Sequence, residues 1–91
     1  MLGYVSEREF KLQFEDSFKR FFKQLCFHAM SFVKDADIAK DIVHDVFLTT
    51  WTQREKIDFT QPMLPYYLSL TRNRSLNYLD HLKVRARHEE N

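Results

Sequence analysis

Apolar residues recur at steps of three and four through three separate stretches of this chain, and each stretch reads as one face of a helix. In the first, Phe10, Phe14, Phe18, Phe21, Leu25, Ala29 and Phe32 form a stripe that predicts a helix over about residues 7–32. Ser6 followed by Glu9 fits a capping box at its entrance. The phenylalanines crowded between Phe10 and Phe32 are far too many to leave in water, so the stripe reads as core. In the second stretch, Ala39, Ile42, Val43, Val46, Phe47 and Thr50 predict a helix over about residues 35–54. Asp35 suits its N-cap, after a turn through Val33, Lys34 and Asp35. In the third, Tyr67, Leu68, Thr71, Ser75, Tyr78, Leu79 and Leu82 gather on one side of a helix over about residues 65–87. Pro65 fits its first turn, where a missing N–H loses no hydrogen bond. Residues 55–64, EKIDFTQPML, show no period. They predict a loop, and a long one, since helix–helix connections usually take about two to eight residues.

The expected fold is therefore all-α: one compact three-helix bundle over residues 1–91, with a functional loop between the second and third helices. A chain of 91 residues leaves room for one modest core and no second domain. A single glycine and two prolines leave few backbone breaks, which favours long helices. The lone Cys26 excludes an internal disulfide and a cysteine zinc site, and reads as a buried thiol among Leu25, Phe27 and Ala29. No apolar run approaches the roughly 18 residues that span a bilayer. The N-terminal MLGYVSEREF lacks a secretory pattern, so a cytoplasmic protein with no membrane partner is expected.

The net charge of +1 hides segregation. Residues 1–71 balance at −1, residues 72–88 at +4, and the last three residues at −2. Arg72, Arg74, Lys83, Arg85 and Arg87 can neutralise phosphates, while Asn73 and Asn77, one turn apart, can hydrogen-bond base edges. Tyr66, Tyr67 and Phe59 offer stacking platforms for unpaired bases, at about 1–3 kcal/mol each. Two plainer readings compete: cations near a helix C-terminus also suit the macrodipole, and Phe59 can plug the core from the loop. On the second helix the outward face presents Asp37, Asp41, His44, Asp45, Leu48 and Thr52. Asp41 and Asp45 repel across one turn, and an exposed leucine beside them reads either as a docking patch for a basic helix or as a solvated face.

Catalysis has little support. Asp41, His44 and Asp45 could form a metal-binding trio only with ligands from another helix. With Gly3 as the single glycine there is no phosphate loop, and no serine or cysteine sits in a nucleophile's context. The expectation is no enzyme, no metal and no cofactor.

The order of elements carries a resemblance. An aromatic first helix is followed by DADIAKDIVHDVFLTTW, a loop, and PYYLSLTRNRSLNYLDHLK. This resembles the second conserved region of bacterial RNA polymerase sigma factors of the extracytoplasmic-function group, over about Phe14 to Arg85. Ala39, Asp41, Ile42, Val43, Val46, Phe47 and Trp51 fall in register with the family's second helix. Leu68, Arg72, Asn73, Tyr78 and Leu79 do so in the third, with Tyr67 in a tryptophan's place. His44 replaces a usual glutamine, Thr71 an alanine and Asn77 an aspartate, while Asp80 stands at a usually basic position.

The resemblance implies a role in transcription initiation. Asp41, His44, Asp45 and Leu48 would dock on the coiled coil of the largest subunit of core RNA polymerase. Phe59, Thr60, Gln61 and Tyr66, with Arg72, Asn73, Arg74, Asn77, Lys83 and Arg85, would hold the single-stranded non-template strand of the promoter −10 element. One flipped base would enter a pocket between the loop and the third helix. An anti-sigma factor is a further partner the resemblance implies. The family's second DNA-binding domain, which reads the −35 element, has no counterpart here, so the chain reads as an isolated domain that alone binds DNA weakly. The alternative is a helical protein–protein interaction module without DNA binding. A homeodomain-like duplex reader fits less well, because it needs a tight turn where this chain has a long loop.

Overall fold

The computed structural model describes residues 6–90, with side chains through His88; Gly3 and Asn91 lie outside the described residues. Its elements are α1 (Glu7–Val33), α2 (Ala36–Thr52), a 3₁₀ turn (Arg54–Lys56) and α3 (Leu64–Glu90). The chain is an all-α bundle in which each helix packs on the other two.

Local chemistry sets the helix ends. Ser6 Oγ accepts the Glu9 N–H at 3.2 Å and opens α1. Asp35 Oδ1 accepts the N–H groups of Asp37 and Ile38 at 2.9 and 3.0 Å, so Asp35 is the N-cap of α2, as its residue type predicts. Between them Lys34 takes a left-handed conformation (φ 59°) and donates its N–H to the Met30 carbonyl at 3.0 Å. Glycine is the usual residue there, because a side chain costs about 1–2 kcal/mol in that region. The predicted loop is partly ordered: it opens with the 3₁₀ turn, and α3 begins at Leu64 with Pro65 in its first turn.

The core joins Leu25 and Ala29 of α1, Ala39, Ile42, Val43, Val46 and Phe47 of α2, and Tyr67 of α3. On α2 the buried set is the predicted stripe, residue for residue. At one end the seam between α1 and α2 is aromatic. Phe14 meets Trp51 at 5.2 Å and Phe47 at 6.0 Å, and Phe18 meets Phe47 at 4.9 Å between ring centroids. Phe47 is buried and the other three rings are half-buried; full burial of such a ring stabilises a fold by about 1.5–3 kcal/mol, partial burial by less, with a smaller gain from edge-on pairing. The seam of α3 is different. Tyr67, Thr71 and Ser75, spaced by four, are fully buried. Tyr67 Oη and Ser17 Oγ share a 2.6 Å hydrogen bond, whereas Thr71 Oγ1 and Ser75 Oγ have no hydrogen-bond partner among the described residues.

Two expectations about burial need correcting. Phe27 belongs to the phenylalanine-rich run read as core, yet it is 67 % exposed, because it stands on the side of α1 opposite Leu25. Leu82 continues the packed stripe of α3 in register but is 42 % exposed, since every residue from Asp80 to His88 is exposed and that end of α3 has no neighbour among the described residues to bury it. Cys26 is half-buried; burial pushes its thiol pKa up, with the Lys40 charge opposing. Among the described residues, no helix is long and apolar enough to cross a membrane.

Candidate functional site

The spacing of Asp41, His44, Asp45 and Leu48 places them on one outward stripe of α2, and all four are exposed, Leu48 at 62 %. The stripe has two flanks. His44 leans toward α1, its ring nearly parallel to Phe18 (7°, 6.3 Å) and 5.1 Å from Phe22. Asp41 and Asp45 lean toward α3 and border a groove of about 450 Å³ with Ile38, Arg74, Asn77 and His81. The three side chains therefore do not converge, and among the described residues no three His, Cys, Asp or Glu groups are placed to hold a metal ion.

Arg74 lies in that groove. Its Nε is 2.9 Å from Asp45 Oδ2, although the N–H is not directed at the oxygen, so the contact is Coulombic. Its other arm donates a true hydrogen bond, Nη2 to Thr49 Oγ1 at 3.0 Å. Both charges are partly exposed, so the pair is worth about 0–1 kcal/mol. Its consequence is positional: a cation grouped with the nucleic-acid set is tied to a carboxylate of the docking stripe. Arg72, two residues away, points about 200° around the helix from Arg74. Arg72 and Asn73 are exposed; Asn77 is exposed on the groove side; Lys83 and Arg85 are exposed farther along α3. The predicted set is thus divided between two edges of α3.

The loop is braced by Asp58. Its Oδ1 accepts from Thr60 Oγ1 at 2.6 Å and from the Thr60 N–H at 2.9 Å, and its carbonyl accepts the Gln61 N–H at 3.1 Å. The Thr60 side chain, then its backbone, holds the Asp58 carboxyl below its usual pKa. Thr60 and Gln61 are left exposed. Phe59 is half-buried, its ring 5.0 Å from Phe10, so it plugs the end of the bundle while one side stays open. Tyr66 is half-buried and meets Tyr67 edge-on at 5.6 Å.

That open side of Phe59 borders a cleft of about 540 Å³. Its walls are the loop and the start of α3 (Gln61, Met63, Leu64) and, facing them, Gln13, Asp16 and Arg20 of α1. The cleft therefore lies between α1 on one side and the loop with the start of α3 on the other, whereas the resemblance implies a pocket between the loop and the third helix. Sequence reasoning missed the α1 wall, because Gln13, Asp16 and Arg20 look like an ordinary solvated helix face. Asp16 and Arg20 stand 3.9 Å apart across one turn, a weak exposed pair. The cleft is open to solvent, with an apolar floor under amide and charged rims.

Compared with known proteins, residues 18–85 match a family model described as Sigma-70 region 2. No curated protein and no solved structure matches the chain.

Proposed function

The chain belongs to the sigma-70 region 2 family, whose domains serve transcription initiation, and from that premise we propose that it binds core RNA polymerase and captures melted promoter DNA on separate surfaces. Asp41, Asp45 and Leu48, with His44 at the edge, seat on the coiled coil of the polymerase's largest subunit. Cations of that coiled coil pair with the two carboxylates, and Leu48 loses its exposed surface to an apolar contact. Gln61, Thr60, Tyr66, Arg72, Asn73, Asn77, Lys83 and Arg85 take the non-template strand of the −10 element. One unpaired base enters the cleft and lies against the open side of Phe59. The domain acts in the cytoplasm, where the polymerase works, as a member of the extracytoplasmic-function group, with an anti-sigma factor as its inhibitor.

The observation that carries this reading is the cleft itself: a site with an aromatic ring in its wall and polar rims opens where the loop meets the start of α3, and Arg72 follows about 12 Å along the same helix. An unpaired base can use it and a stacked base pair cannot. Binding energy available only to the open strand shifts the equilibrium toward open DNA, which is the physical content of promoter melting. The test is a polymerase-bound chain presented with fork-junction DNA whose non-template strand is unpaired, and with the same sequence as duplex. Preference for the fork, lost on replacing Arg72 and Asn73 together by alanine, is expected. Equal affinity for fork and duplex contradicts the reading and favours a protein-interaction module without a DNA role.

A further inference from the structure

The rim of the cleft at Arg20 continues along α1 onto a surface that none of the roles above uses. The charge of α1 is polarised along its length. Residues 7–16 hold Glu7, Glu9, Glu15 and Asp16 against Arg8 and Lys11, whereas residues 17–34 hold Lys19, Arg20, Lys23 and Lys34 and no carboxylate. After Arg20, the residues Gln24, Phe27 and Ser31 follow at steps of four, three and four, which keeps them on one stripe about 16 Å long. All are exposed, and at 67 % Phe27 is the most exposed large apolar side chain among the described residues. Among those residues neither Lys23 nor Lys34 has a carboxylate partner, and Phe27 touches no other ring.

A wet aromatic ring flanked by unpaired cations fits a ligand that alternates flat apolar faces with anionic groups, as single-stranded nucleic acid does. An acidic helix would satisfy the cations too. Continuity decides between them: a strand whose base enters the cleft beside Arg20 must leave along a surface, and this stripe begins at that rim. We propose that Arg20, Gln24, Phe27 and Ser31, flanked by Lys23 and Lys34, form a second track for single-stranded DNA, with one base stacked on Phe27 and phosphates on the two lysines. The track rests on the reading that the cleft receives an unpaired base.

The test is an NMR titration of the full, isotope-labelled chain with single-stranded deoxyoligonucleotides of roughly five and roughly fifteen nucleotides, bracketing usual single-strand site sizes. NMR registers weak binding, so low affinity does not silence it. With the longer strand, amides of residues 23–31 are expected to shift along with those of the cleft; with the shorter one, the cleft alone. Phe27→Ala should weaken the longer strand about tenfold and leave the shorter unchanged. Lys23→Glu should lower the slope of log affinity against log salt by about 0.7. Cleft shifts without any shift over 23–31, or a Phe27→Ala chain that holds both strands as before, overturns the track alone. Absence of cleft shifts with either strand overturns the reading beneath it. Shifts over 23–31 with a poly-glutamate peptide, but not with DNA, make the stripe a protein surface and overturn the track.

Discussion

The seam between α1 and α2 and the seam that holds α3 are built from different chemistry. The first is aromatic and apolar, with Phe14, Phe18, Phe47 and Trp51 in edge-on contact. The second carries hydroxyls, with Tyr67 bonded to Ser17 and with Thr71 and Ser75 left without partners among the described residues. Apolar burial scales with area and needs no partner, whereas a buried hydroxyl contributes only when bonded and costs stability otherwise. The difference puts into the seam of α3, the helix proposed to carry the nucleic-acid edge, buried hydroxyls that cost stability where they stay unbonded.

Phe47 touches Phe14, Phe18 and Tyr67, so Phe47→Ala strikes both seams and should cost about 3–5 kcal/mol in chemical denaturation. Tyr67→Phe should cost about 1 kcal/mol, because Ser17 Oγ loses its bond inside the core. The same substitution reveals a pH effect. Burial raises the Tyr67 phenol above its ordinary pKa of 10.0, with the Ser17 bond opposing. Its folded pKa therefore exceeds the unfolded one. The associated stability is complete below about pH 10 and declines as pH climbs through the folded value. Thermal melts across that range should show this decline in the natural chain and a flatter profile in Tyr67→Phe. Thr71→Val keeps the shape and removes an orphaned hydroxyl, so it should stabilise the fold by about 1 kcal/mol. A destabilised Thr71→Val would mean that the hydroxyl is bonded in solution. Smallest is Lys34→Gly, which relieves the left-handed cap; the gain should be about 0.5 kcal/mol after the added freedom of the unfolded glycine.

The helices were legible because their periodicity is local. The α2 stripe identified its whole buried set, and Ser6 and Asp35 announced their helices through hydroxyl and carboxylate caps. What failed concerned relations between helices. Leu82 keeps the period of α3 but lies past the point where other helices reach it. Phe27 is counted into an aromatic run by composition, though its angle on the helix turns it to water. The pairing of Arg74 with Asp45 depends on the relative rotation of α2 and α3, which neither stripe encodes. The α1 wall of the cleft was hidden for the same reason, since polar residues on an outer face announce nothing until a loop folds across from them.

One side-by-side measurement tests the proposed division of two surfaces between two partners: affinity for core RNA polymerase of the natural chain, of Asp41→Lys with Asp45→Lys, and of Arg72→Ala with Asn73→Ala. Reversing the α2 carboxylates should weaken polymerase binding by about a hundredfold or more, while the α3 pair should leave it within about twofold. Equal losses from both, or none from the carboxylates, would contradict the division of surfaces.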